Sequence, residues 1–400
     1  MRTGHTHLFI PGPTNLPEVV RQALNVPMQD MRAPDFGDLT LGLFEDLKGV
    51  FRTRTGCVMI YPGSGTGAWE AAITNTLNPG DKVLMARHGQ FSAVWVEMAV
   101  RLGLEVEVID VPWGAGVPAA EFARRLGADT KDKIKAVFVS HNETATGVTS
   151  DVAAVRRAMD SCFHDALLFV DGVSSVASID FRMDEWGVDL AVTGSQKGLM
   201  LPAGLGILAV SERALQASRH SSMRRAYFGF DDMRRMNSDG YSPYTPPTQL
   251  LHALRASLDR IALEGLDEVI VRHHRLAEGV RRGVSAWGLN LVAEHPSLYS
   301  DTVSAIRVPD HVDAREVLRI AYEDYNASFG SGLARLAGKV FRIGHLGDLN
   351  EGACLTALAL AEMALVRAGA RIELGSGVGA AQRWFAELRA TRPLLHVVAE

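Results

Sequence analysis

The sequence predicts an α/β protein: a mostly parallel central sheet covered by helices, followed by a smaller C-terminal α+β domain. Three observations predict it. From about Leu16 to Val176, short apolar segments rich in β-branched residues alternate with helix-like ones, the pattern of parallel strands joined by helical crossovers. After residue 265 the pattern changes, with two strand-like segments set among helices. Residues able to do chemistry fall just after the strand-like segments, where parallel sheets bind ligands.

In chain order, residues 1–15 contain IPGPTN and read as an extended arm, because a proline forces its predecessor away from helix. Strands are expected at Cys57–Tyr61, Lys82–Ala86, Glu105–Asp110, Ala136–Ser140 and Leu167–Asp171. Helices are expected at Ala68–Thr76, Ser92–Leu102 and Asp151–Cys162, the last capped by Ser150. Leu190–Thr193 and Gly206–Val210 flank the loop GSQKGLMLPAG, and residues 220–248 read as irregular. A long helical stretch runs from Gln249 to Trp287 with a break near Gly265, and Thr302–Val308 and Lys339–Ile343 read as later strands. The resulting organisation is an arm at 1–15, a large domain at 16–265 and a small domain at 266–400.

Composition narrows the function. The 400 residues carry a net charge of -5 with both signs dispersed, so there is no basic stripe for nucleic acid. Three distant cysteines, Cys57, Cys162 and Cys354, suit neither a disulfide framework nor a zinc site. No apolar run is long enough to cross a bilayer, the N-terminus lacks a signal-peptide core, and the C-terminal HVVAE is no peroxisomal address. The expected compartment is the cytoplasm. His273-His274-Arg275 reads as a solvated helix face rather than a metal site, and GSGVGAA near residue 375 as a turn.

Three places carry chemistry. Gly63-Ser64-Gly65-Thr66-Gly67 follows a strand and precedes a helix, so its backbone N–H groups and hydroxyls suit a phosphate, though a plain tight turn fits the same residues. The lysine that closes a nucleotide-triphosphate loop is missing. Asp171 ends the apolar strand LLFVD, a costly place for a carboxylate without a partner; a protonated heterocycle nitrogen or a helix cap would serve. Lys197 lies among small residues with almost no neighbouring charge, a setting that depresses a lysine pKa and frees the amine as a nucleophile, although a lone loop lysine is ordinarily a surface residue.

Taken in order, FIPGPTN, GSGTGAWEAA, SHNETATGV, LLFVDGVSS, TGSQKG, YTPP and GKVFRIGHLG resemble the class V, fold type I pyridoxal-phosphate aminotransferases, in the serine/alanine/aspartate–glyoxylate branch. The resemblance implies that pyridoxal 5'-phosphate is held as a Schiff base on Lys197 and that Asp171 pairs with its ring nitrogen. It places Ser64, Gly65, Thr66 and Gln196 at the phosphate, Val173 and Phe91 on the two ring faces, and Thr144 near the ring oxygen. Many relatives have tryptophan where this chain has Phe91. Tyr244 and Thr245 match residues lent to the neighbouring subunit's phosphate, which implies a homodimer; Tyr241 is the alternative to Tyr244. Arg342 matches the clamp on the substrate α-carboxylate, and Ser175 is either a substrate-facing hydroxyl or a plain loop residue.

The reaction implied is transfer of an amino group, with serine the favoured donor, to glyoxylate, giving glycine and hydroxypyruvate. Aspartate or alanine are alternative donors, and Arg32 or His345 near the substrate would favour aspartate. A desulfurase or lyase of the same fold is a further alternative, opposed by Gln196 before the lysine and by Cys354 within an apolar helix. A binding protein without activity would have had no reason to keep Lys197, Asp171 and Arg342 together.

Overall fold

A computed structural model describes residues 4–391; HVVAE lies outside them. The chain begins with β1 (His7–Phe9), α1 (Glu18–Ala23) and α2 (Pro34–Phe51). Then strands and helices alternate: β2 (Cys57–Gly63), α3 (Gly65–Thr76), β3 (Lys82–Arg87), α4 (Gln90–Arg101), β4 (Glu105–Asp110), α5 (Ala119–Ala128) and β5 (Ile134–Ser140). A tight hairpin of β6 (Asn142–Glu143) and β7 (Val148–Thr149) leads to α6 (Val152–Ser161), β8 (Leu167–Asp171), β9 (Leu190–Gly194) and β10 (Gly204–Val210).

The large sheet has seven strands in the order β2-β10-β9-β8-β5-β3-β4. Its strands are parallel except β10, which runs antiparallel to both neighbours. Every residue of β8 and β9 is buried, as expected of central strands covered on both faces. The α/β expectation therefore holds.

Helices α7 (Glu212–Ser218), α8 (Phe230–Asn237), α9 (Thr248–Glu264) and α10 (Leu266–Ala286) follow. Gly265, at φ +86°, separates the last two, because the left-handed backbone there favours glycine. The remainder comprises β11 (Val303–Arg307), α11 (Ala314–Tyr325), β12 (Ala327–Ser331), β13 (Val340–Gly344), α12 (Glu351–Arg367) and α13 (Ser376–Thr391). These strands form a second sheet, β1-β12-β13-β11. Its first member is the N-terminal arm, paired in parallel from His7 to Phe9 with Ala327 to Phe329. Phe9 accordingly joins the core made by α10, α11 and α12.

Four local expectations are corrected. Residues 220–248 are not irregular throughout, since α8 occupies Phe230–Asn237. Asp151, not Ser150, caps α6: its Oδ1 accepts from the Ala154 N–H at 2.8 Å, while Ser150 Oγ accepts from Val117 N–H at 3.2 Å. A carboxylate there also meets the positive end of the helix dipole. His273 is buried, accepting from the Gly347 N–H at 3.0 Å, so only its neighbour His274 faces solvent. The turn expected near residue 375 is confined to Gly375, residues 376–381 open α13, and the buried Glu362 accepts from the Gly375 and Gly377 N–H groups at 2.8 and 2.7 Å. Cys354 is buried in α12, and burial pushes its thiol up to about 12.

Candidate active site

At the carboxyl ends of the parallel strands lies a cavity of about 330 Å³, lined among others by Gly12, Ser64, Thr66, Trp69, Asp171 and Lys197. The volume suits a small cofactor or substrate.

One wall is the start of α3. Ser64 occupies the N-cap position, but its side chain makes no capping bond, which leaves its hydroxyl and the first N–H groups for a ligand. Close packing brings this turn in: a Cβ on Gly65 would lie 2.6 Å from Val173 Cγ2, and one on Gly206 would lie 2.4 Å from the Ser64 carbonyl oxygen. Gln196 also lines the cavity, and its Oε1 is buried without a partner among the described residues.

The floor carries the two ionisable groups. Asp171 Oδ1 accepts from the Val173 N–H at 2.9 Å. Burial pushes this carboxyl up to about 7, with that N–H, the Trp69 side chain and the charge of Lys197 acting against it. Lys197 is held down to about 8, first by burial and then by the charge of Arg342. Its Nζ donates to the carbonyl of Pro11 in the N-terminal arm. Thr14, also in the arm, donates from Oγ1 to the Lys197 carbonyl at 3.2 Å. Phe91 and Val173 line the cavity, as does Thr144, whose Oγ1 donates to Ser174 Oγ at 2.8 Å.

Arg342, on β13, stands behind Thr144. Its Nη1 donates to the Thr144 carbonyl at 3.0 Å and its Nε to the Ser331 carbonyl at 2.9 Å, leaving other N–H donors of the fork for a carboxylate. Burial brings this guanidinium down to about 10, against the pull of Glu143.

Residues 45–334 match the family described as aminotransferase class V. This chain belongs to that family. It is 60% identical over 383 residues to the serine–glyoxylate aminotransferase of Hyphomicrobium methylovorum, covering 95% of each chain. It is 53% identical over 388 residues to the L-aspartate–glyoxylate aminotransferase of Paracoccus denitrificans, covering 97% of this chain and 98% of the relative. The crystal structure of pyridoxamine-pyruvate aminotransferase from Mesorhizobium loti superposes with a TM-score of 0.90 at 27% identity, covering 97% and 100% of the two chains. Family membership implies dependence on pyridoxal phosphate.

Not every residue singled out in the sequence meets in this aminotransferase's cavity. Ser175 is buried away from it with its Oγ 2.9 Å from His141 Nδ1; the adjacent Ser174 lines the wall instead, because the turn after β8 rotates successive side chains to different sides. Tyr244 donates to the Ala226 carbonyl at 2.7 Å and stacks on Tyr227, Thr245 is exposed, and Tyr241 lines a separate apolar cleft beside Phe36. Arg32 is exposed. His345 is buried, with its ring nitrogens 3.0 Å from Ser304 Oγ and 3.1 Å from the Asp301 carbonyl, and burial lowers it to about 3.

Sequence reasoning missed Trp69, Ser174 and the Gly12–Pro13 stretch of the arm as lining. Trp69 had a signal, since it lies one helical turn after Gly65 on the same face of α3. Nothing local in the arm foretells that it crosses over Lys197.

Proposed function

We propose that this protein is a serine–glyoxylate aminotransferase that carries pyridoxal 5'-phosphate on Lys197. The observation that carries the cofactor reading is the set of unfinished polar groups around one cavity. An uncapped helix start fits a phosphate, a buried carboxyl fits a ring nitrogen and a buried amine fits an aldehyde, with Gln196 on the same wall. When bound, the cofactor supplies an electron sink for the pair left on the substrate α-carbon.

The chain's own residues then divide the work. Ser64, Gly65, Thr66 and Gln196 would hold the phosphate, and Asp171 would keep the ring nitrogen protonated. Phe91 and Val173 would confine the ring, with Thr144 beside its oxygen. Lys197, with its depressed amine, would form the covalent link and then move a proton to and from the α-carbon. Arg342 would orient the substrate by its α-carboxylate.

Serine is favoured as donor because Arg342, beside the cavity, would serve one carboxylate, and among the described lining residues Lys197 is the single cation. A second carboxylate on the substrate would ask for another. Arg32 is exposed, and both ring nitrogens of the buried His345 are engaged by Ser304 and the Asp301 carbonyl. Aspartate stays the second reading, on the relative named for it. We further propose a homodimer in which Tyr244 (or Tyr241) and Thr245 complete the neighbour's phosphate site, a cytoplasmic location, and an arm at 1–15 with domains at 16–265 and 266–400.

The test is a half-reaction screen. Purified holoenzyme is mixed with serine, aspartate, alanine or glutamate, and the cofactor's visible absorption band is followed. Serine should convert it fastest, and glyoxylate should restore it. Fast conversion by aspartate with none by serine would overturn the donor assignment.

A further inference from the structure

Glu143 is completely buried, yet the functions assigned above give it no part. It sits in the β6–β7 hairpin between Asn142 and Thr144. Its Oε1 accepts from the backbone N–H groups of Phe91 and Ala145, each at 3.2 Å, and its Oε2 accepts from that of Ser92 at 2.9 Å. Phe91 and Ser92 are in the first turn of α4, whose N-cap residue is Gly89.

The first N–H groups of a helix need acceptors, ordinarily supplied by the side chain of the N-cap residue. Glycine has none. The acceptor comes instead from 51 to 52 residues along the chain, and it is a carboxylate, the group that the dipole at that end favours. The glycine is what admits it: a Cβ on Gly89 would lie 2.2 Å from Glu143 Cγ and 2.7 Å from its Oε2. Ser92 Oγ completes the exchange by accepting from the His88 and Gly89 N–H groups at 3.1 and 3.0 Å.

Two parts of the cavity hang on this knot. Phe91 lines the wall from the first turn of α4. Thr144, the next residue after Glu143, offers its hydroxyl to Ser174 and its carbonyl to Arg342.

We propose that Glu143 is a positioning residue: it caps α4 from a distance and so fixes the Phe91 ring at the cofactor cavity. It touches no reacting atom. The effect on cofactor binding rests on the pyridoxal-phosphate reading above; the capping itself does not.

The test uses two readouts on the full-length protein. Amide hydrogen exchange over residues 90–93 reports the cap without any cofactor, and titration of the cofactor-free protein with pyridoxal phosphate reports the cavity. Glu143→Ala should speed the exchange and weaken cofactor binding, each about tenfold, the size of a lost cap. Adding Gly89→Asp should return both to within about threefold, because an N-cap carboxylate then replaces the missing one in the space it left. In a Phe91→Leu background, Glu143→Ala should weaken binding by less than about threefold, since the ring it holds is gone.

Unchanged exchange in Glu143→Ala would overturn the capping. Restored exchange without restored affinity would overturn the link from α4 to the cavity, as would a full tenfold effect in the Phe91→Leu background. If Glu143→Ala does not fold, Glu143→Gln, which keeps one acceptor oxygen, should show the same two losses at about threefold; wild-type values would overturn the proposal. Wild-type protein that never binds pyridoxal phosphate would sink the cofactor reading while the exchange data still decide the cap.

Discussion

The two ends of the large sheet treat buried polar groups in opposite ways. At the amino end of β9, Asp189 accepts from the Leu168 N–H at 2.8 Å, from Ser211 Oγ at 2.9 Å and from Arg213 Nε and Nη2 at 3.0 and 2.7 Å. At the carboxyl end of β8, Asp171 has one backbone N–H, Lys197 meets a carbonyl of the arm, and Gln196 Oε1 has no partner among the described residues. Asp171 and Asp189 belong to one loop-linked pair of strands and are equally buried. The closed end uses its aspartate for stability. The open end holds charge out of water without repaying it, which is how a site awaiting a ligand differs from a structural ion pair.

That contrast can be broken most directly at Lys197. Lys197→Ala should cut turnover by at least about a thousandfold and remove the visible absorption of bound cofactor, with the fold retained by circular dichroism. Near-normal turnover would end the assignment. Arg342→Lys should come next, lowering kcat/KM for the amino donor by about a hundredfold, because a point charge cannot reproduce the two parallel bonds of the fork. A loss confined to glyoxylate kinetics would contradict the clamp.

The paired aspartates sharpen the comparison further. Asp189→Asn should lower stability by about 2 kcal/mol, measured by denaturant unfolding, since Arg213 loses its carboxylate, while kcat/KM stays within about twofold. Asp171→Asn should do the reverse, lowering kcat by at least about tenfold with little loss of stability. Equal kinetic losses in both would erase the distinction between the two ends.

The smallest effect is a pH slope in the cofactor-free protein. Asp171 is raised from 3.8 to about 7 by burial, so between those values the folded state binds more protons than the unfolded chain. Its contribution is complete below pH 3.8 and fades as pH rises toward 7, at no more than about 1.4 kcal/mol per pH unit. Lys197, lowered from 10.5 to about 8, has the opposite sign: stability recovers as pH rises through 8 to 10.5. Melting curves of wild type and Asp171→Asn at pH 5 and 7.5 should converge or diverge accordingly, with wild type losing ground as pH rises. Parallel curves would mean that Asp171 is not the buried acid described.

Much of this was written locally. Leu167–Asp171 falls where its apolar run puts it, since burial on both faces demands such a run, and the edge strand Glu105–Asp110 where its alternating β-branched residues put it. Asp171 and Lys197 were recognisable because each follows one of those strands. Other features depend on contacts between distant segments. Ser174 rather than Ser175 lines the cavity because the packing around His141 claims the second hydroxyl. The buried state of His273 depends on Gly347, far away in the chain.

The sequence by itself therefore determined the α/β layering, the strand ends that carry the phosphate turn, Asp171 and Lys197, and the family these motifs resemble. Those are properties of neighbouring residues: periodicity, glycine at tight turns, and a polar group closing an apolar strand. Only the tertiary structure decided that the N-terminal arm joins the second sheet and lays Pro11 against Lys197, that Arg342 donates to the Thr144 carbonyl beside the cavity, and that Glu143 caps a helix it does not belong to. Each of these joins groups separated by 51 residues or more, where local propensity is silent and only the close packing of the two sheets selects which partners meet.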